Sequence, residues 1–268
     1  EEVLRCWDQM QHEKVFPNVV TYASVLLSCG STEALDKGCE IHSNAVKNGF
    51  EQDSFVGNAL ISMYAKCGSL VRAHQVFDDL RVRNVVSWNT LIAGYAQLGQ
   101  VKLVFGLISK MTKEGILPDE VTFLVLLNVS SHAGLVEEGH VIFDEVCAYY
   151  PSPTLEHYAC MVDILSRAGH FDKSVALIEK VQVSDRLQLW LALLGACRRW
   201  GNVKLGKLAF DQVIQLDDSH SAAYVLIAGL FTDSGMEADA KNIEAMRVKT
   251  TARRKLERNI WVNASRTI

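Results

Sequence analysis

The chain has 268 residues, 49% hydrophobic and 22% charged, a balance that supports a packed core and argues against wholesale disorder. Its net charge of −4 argues against a protein held to nucleic acid by a generally basic surface. No apolar run approaches the roughly 20 residues of a membrane span, so no membrane association is expected.

Residues 1–10 read as the middle of an amphipathic helix rather than a targeting peptide, so the chain is expected to open inside a repeat. From there an ordered set of landmarks recurs: an aromatic, two apolar residues and a glycine. It stands as Trp88, Leu91, Ile92 and Gly99, then as Phe123, Leu126, Leu127 and Gly134. It returns as Tyr158, Met161, Val162 and Gly169, as Trp190, Leu193, Leu194 and Gly201, and as Tyr224, Ile227, Ala228 and Gly235. Upstream, Leu60, Ile61 and Gly68 match without the aromatic. From Gly68 to Gly235 the glycines lie 31, 35, 35, 32 and 34 residues apart, the period of a helical-repeat array.

Within a repeat the apolar spacing is helical. Leu60, Ile61 and Tyr64 share one face; after Gly68, Leu70, Ala73, Val76, Phe77 and Leu80 form the stripe of a second helix. The glycine belongs at the position just past a helix end, where the backbone turns left-handed. The first complete repeat departs from this, with Glu33 in the glycine's place. Turns between repeats are marked by Pro17, Pro118 and Pro153, or by the run Arg81, Val82, Arg83 and Asn84. A helical pair cannot bury its apolar face alone, so the expected fold is all-α, a right-handed α-solenoid of antiparallel helix-turn-helix repeats.

Seven cysteines are scattered singly with no C-x-x-C, a pattern expected of buried free thiols in a reducing compartment. From Arg247 onward, seven basic residues against one acid give that segment +6, which leaves residues 1–246 at −10. Arg253, Arg254 and Lys255 are therefore read as part of a basic tail on an acidic body.

The repeat from 85 to 119 resembles a standard 35-residue pentatricopeptide repeat, and the mixture of unit lengths resembles the plant organellar subclass that combines standard, long and short repeats. Residues 19–53, with Gly38, Cys39, Glu40, Ile41 and His42, are similar to the long type. Residues 54–84, with Met63, Tyr64, Ala65, Lys66, Cys67 and Gly68, match the short type. Residues 120–154, with Ser131, His132, Ala133 and Gly134, look like a second long unit, and 155–186, with Glu156, His157 and Tyr158, a second short one. Residues 187–220, with Leu193, Leu194, Gly195, Ala196 and Cys197, and 221–252, with Tyr224, Val225 and Leu226, resemble the subclass's two extension motifs. Residues 1–18 then form a partial repeat and 253–268 a basic tail, where Trp261 stands without the Pro-Gly usual before it.

The resemblance implies sequence-specific binding of single-stranded RNA, one base per repeat, in a mitochondrion or chloroplast. Site recognition for C-to-U RNA editing is the implied task. The extension motifs would position a DYW-type cytidine deaminase, with multiple organellar RNA editing factors as further partners. In the family the fifth residue of the first helix and the last residue of the repeat specify the base, and the second residue packs on it. By position these are Asn58 and Asn84 with Phe55, and Asn89 and Asp119 with Val86. An amide offers both a donor and an acceptor to a base edge, and a carboxylate accepts the imino N–H of uracil. Asn89 with Asp119 resembles a uracil reader; Asn58 with Asn84 resembles a pyrimidine reader favouring cytosine. Asn18, Val20, Asp53, Val121 and Thr154 occupy equivalent positions elsewhere. The long repeats have Ala23 and Leu124 at the fifth position, and the second short repeat pairs Ala159 with Arg186; none of these matches the code.

Two alternatives stand beside this reading. Asn84 and Asp119, each just before a helix, suit N-caps. The whole array also suits an α-solenoid protein-protein interaction scaffold without direct RNA recognition. The sequence contains no H-x-E with C-x-x-C for a zinc deaminase, no Ser/His/Asp motif, no P-loop and no dinucleotide fingerprint. No enzyme activity, cofactor or metal is expected of these residues. Glu137 and Glu138 fall where acids suit a first helical turn, and His42, His132, His140 and His157 are read as packing or surface side chains.

Overall fold

The computed structural model describes residues 2–150 and 153–265, with side chains through residue 253 apart from residue 184. The helices are α1 (Glu2–His12), α2 (Val19–Ser31), α3 (Leu35–Lys47), α4 (Ser54–Lys66), α5 (Leu70–Asp79), α6 (Val85–Gln97), α7 (Val101–Lys113) and α8 (Glu120–Ala133). They continue as α9 (Val136–Tyr149), α10 (Leu155–Arg167), α11 (Phe171–Glu179), α12 (Arg186–Trp200), α13 (Val203–Leu216), α14 (Ser221–Asp233) and α15 (Glu237–Ser265), with a 3-10 turn at Val183–Asp185. Among the described residues there is no strand, and no helix is long and apolar enough to cross a membrane.

The chain divides into two compact units, one up to Val129 and one from Ser130. In the first, α2 packs on α4 and α4 on α6, so the first helices of successive repeats lie side by side. Helices α3 and α5 each back onto their own first helix and onto the next one. The second unit repeats this scheme, with α10, α12 and α14 side by side and α11 and α13 behind them. The fold is an all-α solenoid.

The apolar stripes become the core of each unit. Leu60, Ile61 and Tyr64 are buried together with Ala73, Val76, Phe77 and Leu80. Three of the recurring aromatics, Trp88, Tyr158 and Tyr224, meet an aromatic of the preceding repeat. Trp88 meets Phe77 at 4.6 Å between ring centroids, Tyr158 meets Phe143 at 5.4 Å, and Tyr224 meets Phe210 at 5.3 Å. All three pairs are edge-on, the arrangement that sets a positive ring edge against a negative ring face. Tyr22 meets Trp7 of the preceding helix at 5.6 Å in a tilted arrangement. At the three edge-on positions the aromatic landmark is a joint between repeats.

The glycine landmark is the stop of each first helix. Gly68 has φ +76°; its N–H bonds the Ala65 carbonyl, and the next N–H, from Ser69, reaches back to the Tyr64 carbonyl at 2.8 Å. This pair of bonds satisfies carbonyls that the helix end leaves open. The same six-residue closure recurs at Gly99, Gly134, Gly169, Gly201 and Gly235, all with positive φ. Glu33 takes the same conformation, φ 54°, with Ala34 N–H on the Cys29 carbonyl at 2.9 Å. The turn survives loss of the glycine, so Glu33 carries the steric strain of a β-carbon in the left-handed region.

One feature differs from the sequence reading, and the basic tail gains a backbone setting. Helix α15 runs unbroken through residue 252 into the basic segment, with no Gly or Pro between Glu237 and Ser265 to stop it. Arg253 pairs with Asp218, while the side chains of Arg254, Lys255 and Trp261 lie outside the described residues. The feature that differs is the free thiols, which are not uniformly buried. Cys29 and Cys197 are buried, but Cys6 and Cys147 are exposed, on the solvent sides of α1 and α9. Burial pushes the Cys197 thiol up to about 12 and the Cys160 thiol up to about 11, which keeps both protonated and unreactive.

Relief of the strain at one turn is measurable. Glu33→Gly is expected to raise stability by about 0.5–1 kcal/mol and Gly68→Ala to lower it by about 1 kcal/mol. Thermal unfolding followed by far-ultraviolet circular dichroism reads both shifts.

Candidate nucleic-acid interface

The first helices place three kinds of side chain on one face. The second residues Val20, Phe55, Val86 and Val121 are apolar yet between 53% and 62% exposed, a row of uncovered hydrophobic surface along the first unit. The last residue of each repeat stands immediately before the next first helix and caps it. Asn18 accepts the Thr21 N–H at 2.9 Å, Asp53 those of Phe55 and Val56 at 2.9 and 3.0 Å, and Asn84 that of Ser87 at 3.0 Å. Thr154 caps α10 in a reciprocal arrangement with His157. The capping role is therefore real at every one of these positions.

At Asp119 the cap is joined to something more. Asp119 Oδ1 accepts the Thr122 N–H at 2.9 Å and an N–H of the Asn89 amide at 2.8 Å. The Thr122 hydroxyl sits 2.6 Å from Asn89 Oδ1 and 2.8 Å from Asp119 Oδ1. An ionised carboxylate can only accept, so the Asn89 NH2 must face Asp119 and its carbonyl must face Thr122. Burial pushes the Asp119 carboxyl up, but hydrogen bonds from the Thr122 N–H, the Asn89 amide and the Thr122 hydroxyl outweigh it and hold the group below its ordinary value. This network leaves one amide N–H of Asn89 and Asp119 Oδ2 available, a donor beside an acceptor.

That pair lines a groove of about 350 Å³ together with Val86, Val121, Lys66 and Gln97. The arrangement offers a planar heterocycle apolar contact from two side chains and hydrogen bonds from a third direction. The Asn58 and Asn84 pair is not assembled in this way. Asn84 uses its side-chain oxygen on the Ser87 N–H and hydroxyl, and the buried Oδ1 of Asn58 has no partner. An unpartnered buried acceptor costs roughly 1–3 kcal/mol, so it favours any ligand that brings a donor. At the off-code positions Ala23 is buried, and Arg186 spends its guanidinium on the carbonyls of Val181 and Glu179, ending α11.

Sequence reasoning passed over Thr122, which fixes the Asn89 amide. Its signal was available: Asn18, Asn84 and Asp119 are each followed three residues later by Thr or Ser, the spacing at which a hydroxyl reaches an N-cap side chain.

Paired helices joined by left-handed turns define a helical-repeat protein. Comparison with known proteins specifies it further. Residues 83–132 match the PPR repeat family and residues 58–85 the PPR repeat. The pentatricopeptide repeat-containing protein DOT4, chloroplastic, of Arabidopsis thaliana is 40% identical over 87% of this chain and 27% of its own length. A mitochondrial pentatricopeptide repeat-containing protein of the same plant is 39% identical over 93% of this chain and 36% of its own length. Residues 58–132 therefore match pentatricopeptide repeats, and the chain spans about a third of the length of these relatives. Its fold is similar to that of the pentatricopeptide repeat protein PPR10, crystallised in complex with an 18-nt psaJ RNA element. The TM-score is 0.62 at 17% identity, covering 91% of this chain and 35% of that one.

The network has a pH signature. A carboxyl held low in the folded state adds stability above its ordinary value of 3.8 and loses that contribution as pH falls through the lower folded value. Asp119→Asn is expected to flatten part of the acid limb of a stability-pH profile. Thr122→Val leaves the buried Asn89 carbonyl without its donor and is expected to cost about 1–2 kcal/mol at neutral pH, read by urea denaturation.

Proposed function

We propose that this chain is a sequence-specific single-stranded RNA-binding module and that residues 54–119 do the reading. The observation that carries this is the groove in which Val86, Asn89, Asp119 and Val121 converge, with a free donor and acceptor between two exposed apolar side chains. A uracil fits the Asn89 and Asp119 pair, because the carboxylate accepts the imino N–H and the amide N–H donates to a carbonyl. Asn58 with Asn84, beside the exposed Phe55, reads a pyrimidine with a preference for cytosine, whose amino group supplies the donor that Asn58 Oδ1 lacks.

The repeats at 19–53, 120–154 and 155–186 act as spacers. Residues 187–220 and 221–252 are extension motifs that position a cytidine deaminase, and the task is site recognition for C-to-U editing of organellar transcripts in a plant. Two relatives named for a chloroplast and a mitochondrion support the organellar setting, and the fold neighbour crystallised with an RNA element supports the RNA ligand. The role is recognition, with catalysis supplied by a partner.

Binding of short single-stranded RNAs tests the reading. Asn58→Ala or Asn89→Ala is expected to weaken binding by roughly 5–100-fold with helicity unchanged, as loss of a base contact does. Asp119→Asn is expected to move the preference at its position from uracil towards cytosine. An unchanged base profile in Asp119→Asn would reject the register, and absence of RNA binding at any salt concentration would leave the protein-interaction scaffold as the function.

A further inference from the structure

In the second unit, three side chains that serve no reading position gather around Asp163 of α10. Ser131, near the end of α8, donates its hydroxyl to Oδ2. Arg167 Nε donates to the same oxygen at 2.6 Å, and Arg199 Nη2 of α12 donates to Oδ1 at 3.2 Å. Burial pushes the Asp163 carboxyl up, but the Ser131 and Arg167 hydrogen bonds and the charges of Arg167 and Arg199 outweigh it and hold the group ionised. One carboxylate thus positions two guanidiniums and leaves a local excess of positive charge.

Each guanidinium has five N–H donors and spends one on Asp163. The two side chains are 37% and 49% exposed, so the remaining donors face solvent. Beside them lies an open cavity of about 510 Å³, lined by Ser131, His132, Gly134, Arg167, Arg199 and Trp200. Trp200, the last residue of α12, is 56% exposed and stands outside the core cluster of its own unit. An ion-pair role accounts for the arginines. It does not account for an uncovered indole at the same cavity.

We propose that this cavity binds one nucleotide of single-stranded RNA, with Arg167 and Arg199 on a phosphate and the Trp200 indole stacked on the base. Stacking on an aromatic tolerates every base, so the site grips RNA without reading it and adds affinity to the few bases read by residues 54–119. Asp163 is a positioning residue that holds the two guanidiniums apart and aimed. An acidic peptide would satisfy the guanidiniums but offer the indole no planar partner, whereas a nucleotide supplies both groups. The inference rests on the RNA-binding reading of the groove at Asn89 and Asp119.

The whole chain titrated with a uridine-rich single-stranded RNA at several salt concentrations separates the two. Trp200→Ala is expected to weaken binding by about 5–100-fold while leaving the uracil-over-cytosine preference intact. Arg199→Gln is expected to reduce the slope of log affinity against log salt by about 0.7, the value for one phosphate contact on a single strand, and Arg199→Lys to retain it. Thermal unfolding of each variant confirms that the fold is kept; Trp200 is exposed and leaves the core untouched. Unchanged affinity and slope in Trp200→Ala and Arg199→Gln, with Asn89→Ala still impaired, would overturn this site and leave the reading groove standing. Failure of the unaltered chain to bind RNA would overturn both. Binding of polyglutamate with the same dependence on Arg199 and Trp200, in place of RNA, would assign the cavity to an acidic protein.

Discussion

Each first helix stops at a residue with positive φ, and two backbone hydrogen bonds close the turn behind it before the second helix begins. Neither helix of a repeat can bury its apolar stripe alone, so this reversal must be reproduced every time for the next repeat to find its partner. The edge-on aromatic pairs Phe77 with Trp88, Phe143 with Tyr158 and Phe210 with Tyr224 then lock one repeat to the next. With both ends of the first helix held, its remaining face has no packing duty. The groove occupies that face.

Under the proposed reading, Asp119 serves structure and recognition together. Asp119 satisfies the start of α8 with one oxygen and keeps the other for the groove, so a ligand need not compete with the helix for it. Its ionised state is maintained by the same hydrogen bonds that hold Asn89 in place. At Asn58 the balance is reversed: the neighbouring Asn84 is committed to its helix, and the Asn58 carbonyl is buried without a donor. One position is preorganised and the other is left wanting a partner, so under the proposed reading the two repeats would discriminate bases by different routes.

Legibility in the sequence followed the range of each interaction. Leu60, Ile61 and Tyr64, or Ala73, Val76 and Phe77, reveal their burial through helical spacing, because the period is a property of the local backbone. Gly68 reveals its turn for the same reason. Glu33 shows that the register of the array can impose the turn on a residue that does not favour it. Thr122 was legible as a short-range capping pattern. The cluster of Ser131, Asp163, Arg167 and Arg199 was not, since its members come from three helices and no spacing along the chain announces them.

What the amino-acid sequence alone determined was the repeat: where helices begin and stop, which stripe is apolar, and which residues sit at the second, fifth and last positions. Those features depend on contacts a few residues apart. The tertiary structure decided which of those positions are brought together. Asn89 and Asp119 are 30 residues apart and meet only because α6 and the start of α8 are neighbours. Asn58 and Asn84 have much the same spacing but remain unjoined: the Asn84 side-chain oxygen bonds its own helix, and the Asn58 carbonyl has no partner.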